Sequence, residues 1–185
     1  MIDDYLEVLD LKDVKRTGWQ IHNVENPETV AAHSWSVAAL TMLHLPEELD
    51  ESKALKIALI HDIGESKMGD IPYSAEKDYG REDKEEQEQE AVKKLSESLS
   101  DELLGLWREY EDRESSEAKF VKDMDLVDLC LQALKYESED RYEGNPETDF
   151  EGLDEFFETS RGRFNTGKGL ELFEKIEQKY RREKT

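Results

Sequence analysis

Apolar residues fall three and four positions apart along one segment after another of this 185-residue chain, and no segment alternates them in twos. Side chains at that spacing share one face of an α-helix, whereas a half-buried strand needs a period of two, so the pattern predicts an all-α fold. Apolar residues make up 36% of the chain and charged residues 39%, so the apolar ones must be concentrated on buried faces. The length suits one domain over residues 1–185, built around a single core without internal repeats or low-complexity linkers.

The local signals divide the chain into helices. Asn26-Pro27-Glu28 supplies a cap residue, a proline suited to a first helical position and an acid for the first turn. Val30, His33, Val37 and Leu40 follow on one face, which aims His33 at the core. Asp50-Glu51-Ser52 opens a second helix whose Leu55, Ile57, Ala58, Leu59 and Ile60 are apolar on nearly all sides, as expected of a central, buried helix; His61-Asp62 lies at its end. From Ile63 to Pro72 two glycines and a proline predict a break and a loop, a common position for catalytic residues. Further helices are expected over about 83–99, about 102–110 and about 117–137. In the last of these Phe120, Val121, Met124, Val127, Leu131 and Leu134 form the stripe, and Asp125 lies beside Val121 and Leu129. A turn at Gly144-Asn145-Pro146, a helix around Phe156 and Phe157 and a closing helix from about 170 to 180 complete the reading.

With 47 acidic against 25 basic residues the net charge is −22, which disfavours nucleic-acid polymers and anionic membranes as partners. No apolar run approaches the roughly 20 residues that span a bilayer, and the opening MIDDYLEVLDLKD is acidic where a secretory signal is basic. A cytoplasmic protein with no membrane contact is expected. The single cysteine, Cys130, excludes an intrachain disulfide and a cysteine-based zinc cluster, and its expected role is packing. The acidic run from Glu82 to Glu90 reads as the solvated first half of a helix.

Two of the four histidines, His33 and His61, and two aspartates, Asp62 and Asp125, fall on or beside apolar helical faces, where an unpaired ionisable group is costly. Either they satisfy one another or they hold a divalent cation. Imidazole and carboxylate without thiolate suit Mn, Fe, Co, Ni, Mg or Zn in an open site, and a bound cation lowers the pKa of water toward neutrality. Glu65, one turn beyond His61, is then placed to orient or deprotonate that water, with Asp70 as a second candidate. Taken singly each residue has a plain structural explanation: His33 as a satisfied core histidine, Glu65 as a helix-end carboxylate, Asp70 as a turn-former, Asp125 as a partner of Lys122. Their joint occurrence is much less easily accidental. His22 and His44 lack such a context and read as surface or packing residues.

Arg16-Thr17-Gly18-Trp19, Glu28-Thr29-Val30-Ala31-Ala32-His33-Ser34, Ala58-Leu59-Ile60-His61-Asp62-Ile63-Gly64-Glu65 with Gly69-Asp70-Ile71, and Lys122-Asp123-Met124-Asp125 follow one another along the chain. In residue order and context they resemble the HD-domain phosphohydrolases, in the 5′-deoxynucleotidase-like branch. The match spans about residues 3–136, followed by a divergent, acidic helical part over about 137–185. The resemblance implies an all-α HD-domain bundle with a metal site between helices, held by His33, His61, Asp62 and Asp125. It implies that Glu65 and Asp70 assist the attacking water, that Arg16 and Trp19 contact a nucleotide, and that the chain forms a homodimer. The chain departs from the family pattern at Ala32, where an acid is frequent, and at Gly64, where leucine or alanine is common; neither removes a ligand. The expected activity is hydrolysis of nucleoside 5′-monophosphates, deoxyribonucleotides favoured. The alternatives are an HD phosphohydrolase for another small phosphate ester or diphosphate, and a catalytically silent metal- or nucleotide-binding regulator.

Overall fold

The structure is a computed structural model that describes residues 1–71, 81–143 and 151–184. Its elements run α1 (Ile2–Leu9), a 3-10 turn (Asp10–Lys12), α2 (Thr17–Ile21), α3 (Val30–His44), α4 (Glu51–Ile60), α5 (Glu65–Met68), α6 (Arg81–Leu99), α7 (Leu103–Glu111), α8 (Ser116–Ser138), α9 (Asp154–Ser160) and α10 (Gly167–Glu183). Among the described residues the one β-type pairing is an isolated bridge between Lys15 and Thr29, so the fold is all-α as the periodicity predicts. Pro72 and the Gly144-Asn145-Pro146 turn lie outside the described residues.

Helix starts follow side-chain capping chemistry. Asp50, Ser115 and Thr166 each accept a backbone N–H three residues on and so open α4, α8 and α10. The expected start of α3 at Asn26 moves to Thr29, whose hydroxyl accepts from the Ala32 amide at 3.2 Å. Asn26 itself is left-handed at φ 47°, and the Glu28 amide donates to the Tyr136 hydroxyl at 2.8 Å, so the Asn-Pro-Glu segment is held against α8 instead of entering a helix.

The central helix is α8, not α4. Phe120, Val121, Met124, Val127, Cys130 and Ala133 of α8 are fully buried, and α3, α4, α7, α9 and α10 pack around it. In α4 only Ala54, Ile57 and Ala58 are buried, while Leu59 is 56% exposed. The C-terminal helices belong to the same core: Phe156, Phe157, Phe173, Ile176 and Tyr180 join Val37, Ile57 and Met124. A second apolar cluster of Leu11, Val30, Ile63, Val92, Leu95, Leu103 and Trp107 fastens the opening turns and α6 behind the end of α4.

One buried carboxylate fixes the closing helix. Asp123 accepts from the Asn165 amide at 2.8 Å, the Thr166 amide at 2.7 Å and the Thr166 hydroxyl at 2.6 Å, so it stands at the start of α10. A Cβ on Gly169 would lie 2.5 Å from the Asp123 carboxylate, which makes glycine the residue that allows this approach.

Candidate metal centre

The first turn of α3, the end of α4 and the middle of α8 bring four side chains together. His33 is fully buried on α3, and His61, 2% exposed, caps the C-terminus of α4. Their Nε2 atoms are 3.3 Å apart. Asp62 Oδ2 lies 3.3 Å from His61 Nε2 and 3.7 Å from His33 Nε2, and Asp125 Oδ1 lies 3.2 Å from His33 Nε2. His33, His61 and Asp62 offer ligand atoms that all lie within 4.8 Å of one another, and Asp125 adjoins this group through His33.

The protonation of the rings follows from their outer partners. His61 Nδ1 is 2.9 Å from the Ala58 carbonyl oxygen, so Nδ1 donates and a neutral His61 carries its lone pair on Nε2. His33 Nδ1 is 2.7 Å from Asp128 Oδ2, with the same consequence. Two lone pairs and two carboxylates are then gathered together, an acceptor-rich arrangement that a shared cation would satisfy beside the donors Arg16, Tyr110 and Lys122. Burial and Arg16 lower the pKa of His33, but its hydrogen bonds to Asp125 and Asp128 outweigh them and push it up to about 10. Burial likewise opposes ionisation of Asp62, yet His61, Arg16 and His33 hold its carboxyl well below the usual carboxylate range. For Asp125 the same opposition is overcome by Lys122, His33 and His61. Separations of 3.2–3.7 Å suit donors that share one ion at bonds of about 2.0–2.2 Å. The donor set fits a divalent metal.

Around this group lies a ring of further polar residues. Arg16 Nη1 is 3.1 Å from Asp62 Oδ2. Burial lowers its pKa, but Asp70, Asp62, Glu65 and Asp125 together outweigh that and hold the guanidinium firmly charged. Glu65 is the first residue of α5 and only 5% exposed. The Asp70 carboxylate accepts from the Thr17 amide at 2.5 Å, and its carbonyl oxygen from the Thr17 hydroxyl at 2.7 Å, so Asp70 ties the segment after α5 to the start of α2. Gly64 allows a close approach: a Cβ there would stand 3.3 Å from Val92 Cγ2 and 3.4 Å from the Glu88 carbonyl, so the departure at this position lets α6 pack directly behind the His61-Asp62 turn.

Trp19 is placed differently from the other expected site residues. It is 1% exposed, with its ring 4.2 Å from Phe156 and 5.2 Å from Tyr136 between centroids, and its indole N–H donates to Glu28 at 2.9 Å. It forms part of the core beneath Arg16, not an open wall. His22 is buried, donating from Nδ1 to the Gly18 carbonyl at 2.9 Å and packing on Phe156, which makes it a packing residue as expected.

Three neighbours of the centre were not singled out as site residues from the sequence. Asp128 sits one turn beyond Asp125 on α8, and that three-residue spacing of two aspartates in an apolar stripe was the available signal. Tyr110 and Lys122 both donate to Asp125 Oδ2 at 2.9 Å, which leaves Oδ1 turned toward His33. Burial, with Asp125 beside it, pushes the Tyr110 hydroxyl well above its ordinary pKa and keeps it a donor. Nothing local to Tyr110 in the sequence indicates this contact, because α7 carries it in from a separate helix.

A family model described as an HD domain matches residues 8–159. The chain is 36% identical over 171 residues to the 5′-deoxynucleotidase HDDC2 of Bos taurus, covering 90% of this chain and 79% of that relative; with HDDC2 of Homo sapiens the identity is 35% at the same coverage. Among solved structures the PH0347 protein of Pyrococcus horikoshii OT3 superposes with a TM-score of 0.77 at 32% identity, over 97% of this chain and 99% of that one. The converging His33, His61, Asp62 and Asp125 sit within the matched span, and the chain belongs to the HD domain family, in its 5′-deoxynucleotidase-like branch.

Proposed function

We propose that this chain is a metal-dependent phosphomonoesterase that hydrolyses nucleoside 5′-monophosphates to nucleoside and phosphate, with deoxyribonucleotides favoured. The observation that carries the reading is the facing of two imidazole lone pairs and two carboxylates in a buried centre, within a family whose relatives include 5′-deoxynucleotidases. His33, His61, Asp62 and Asp125 would hold the ion, a divalent cation of the set Mn, Co, Fe, Ni, Zn and Mg. A bound divalent ion supplies hydroxide near neutral pH and neutralises phosphate charge.

The other residues act around that centre. Arg16, kept charged by its carboxylate neighbours, offers its remaining N–H groups to phosphate oxygens. Glu65 accepts the proton of the attacking water as the new P–O bond forms and the bond to the 5′-oxygen breaks; the leaving oxygen takes up a proton from solvent, to which Glu65 releases its own. Asp70 is the second candidate to assist the attacking water; its carboxylate also accepts from the Thr17 amide beside Arg16 and adds to the negative field that keeps Arg16 ionised. Trp19 supports sugar selection from beneath, by fixing the α2 turn that carries Arg16 against Tyr136 and Phe156.

The proposal includes a single HD domain over the chain, free nucleotides as partners, a cytoplasmic location where those substrates are found, and a homodimer. What supports the dimer is α3: it contains no Asp, Glu, Lys or Arg, yet Trp35 is 70% and Leu43 69% exposed, a charge-free apolar face on a chain of net charge −22. Among the described residues no helix is long and apolar enough to cross a membrane.

The test is a hydrolysis screen of ribo- and deoxyribonucleoside 5′- and 3′-monophosphates, and of other small phosphate esters, with protein stripped of metal and reloaded with each candidate ion. Higher kcat/KM for deoxyribonucleoside 5′-monophosphates is expected. Preference for a 3′-phosphate, or equal rates on ribo and deoxyribo substrates, contradicts the substrate assignment and favours a broader phosphohydrolase.

A further inference from the structure

His33 is gripped at both ring nitrogens by carboxylates from one helix. On α8, Asp125 Oδ1 lies 3.2 Å from Nε2 and Asp128 Oδ2 lies 2.7 Å from Nδ1, three residues and about one turn apart. The imidazole is fully buried and Asp128 is 5% exposed, so neither has water as an alternative partner. A buried carboxylate used only for packing would be replaceable by a neutral residue of the same size. Here one carboxylate oxygen is aimed at the nitrogen that decides which end of the ring carries the lone pair.

We propose that Asp128 is a positioning residue for the metal centre. It keeps the proton of His33 on Nδ1, so that Nε2 faces His61 and Asp62 as a lone pair. The inference rests on the reading of His33, His61, Asp62 and Asp125 as a metal site. An amide in place of Asp128 has no such preference: it can present its oxygen to Nδ1–H, or its NH2 to a bare Nδ1 with the proton moved to Nε2, where it blocks an ion. A carboxylate permits only the first. Carboxylates behind metal-bound histidines fix ring orientation and tautomer in this way, and their loss typically lowers metal affinity about 10- to 100-fold.

The test compares wild type with Asp128→Asn in two measurements: Zn2+ and Mn2+ affinity by competition with a chromophoric chelator, and melting of the chelator-treated protein. Metal affinity about 10- to 100-fold weaker, with metal-free melting close to wild type, is the expected result. Equal affinity in the two proteins overturns the proposal, whatever happens to stability, because a packing role alone moves melting and not affinity. A wild type that binds neither ion overturns the metal site itself. Should Asp128→Asn fail to fold, long-range 15N spectra of zinc-loaded wild type decide the point: His33 protonated at Nδ1 supports the assignment, and His33 protonated at Nε2 overturns it.

Discussion

Glu65 begins α5 one turn after His61, buried at the edge of the carboxylate group that surrounds Arg16. If it takes the proton from water, Glu65→Gln leaves metal content intact and lowers kcat about 100- to 10,000-fold, measured on metal-loaded protein. Near-normal kcat makes Glu65 structural. The residue types of the centre were legible in the sequence because a histidine or aspartate on an apolar face needs a partner: His33, His61 and Asp62 lie together, and Asp125 pairs with His33. Trp19 was less legible: by resemblance an Arg-Thr-Gly-Trp opening implies a substrate contact, but a tryptophan has enough apolar area to be drawn into any adjacent core, and here Tyr136 and Phe156 enclose it. That placement changes how its part in selectivity is tested. Trp19→Ala would empty a core site at a cost of about 3–5 kcal/mol, so Trp19→Phe is the informative variant. It is expected to narrow the preference for deoxyribose while metal binding stays intact. An unchanged ratio of kcat/KM between deoxyribo and ribo substrates assigns Trp19 to packing alone.

At the scale of the elements, spacing gave the long helices nearly to the residue: about 117–137 was expected where Ser116–Ser138 stands, and about 102–110 where Leu103–Glu111 stands. What it did not give was rank. A helix apolar on nearly all sides, α4, proved half-exposed, and α8, with charged residues at Lys122, Asp123, Asp125 and Asp128, proved central. The reason is that three of those four charges are carboxylates with buried work: Asp125 and Asp128 face His33, and Asp123 receives the start of α10. Local hydropathy cannot register a charge that is satisfied by a distant segment. The short α1 and α2 went unpredicted, and α1 has no buried residue to mark its inner face. The Asp123 contact yields a direct prediction. Gly169→Ala would drive a methyl into the carboxylate that anchors α10, so urea unfolding should show a loss of about 1–3 kcal/mol, although alanine is the better helix former. A gain in stability would mean that the contact yields easily and does not hold α10.

Beneath a strongly acidic surface the fold keeps some ionisable groups charged, as at Arg16, Asp62 and Asp125, and holds others in their neutral forms. Burial pushes the Cys130 thiol up from 9.0 to about 12. Burial raises Tyr110, Tyr136, Tyr142 and Tyr180 as well. Each is an acid that ionises more readily in the unfolded chain, so the stabilisation is complete below the unfolded pKa and is lost as pH rises toward the folded one. Chelator-treated protein should therefore lose stability progressively from about pH 9 to 12. Cys130→Ala should flatten the first part of that decline by up to about 1.4 kcal/mol per pH unit. Stability that stays level across this range contradicts the burial assigned to these groups. The central claim is that four side chains from α3, the end of α4 and α8 hold the ion on which hydrolysis depends. Its most direct test is metal content by elemental analysis, together with phosphate release from deoxyribonucleoside 5′-monophosphates, in wild type, His61→Ala and Asp125→Ala. Loss of bound metal and of nearly all activity in both variants, with chelated wild type equally inactive and less stable than the loaded protein, is the predicted result. Undiminished metal in both variants, or full activity in chelated wild type, would contradict it.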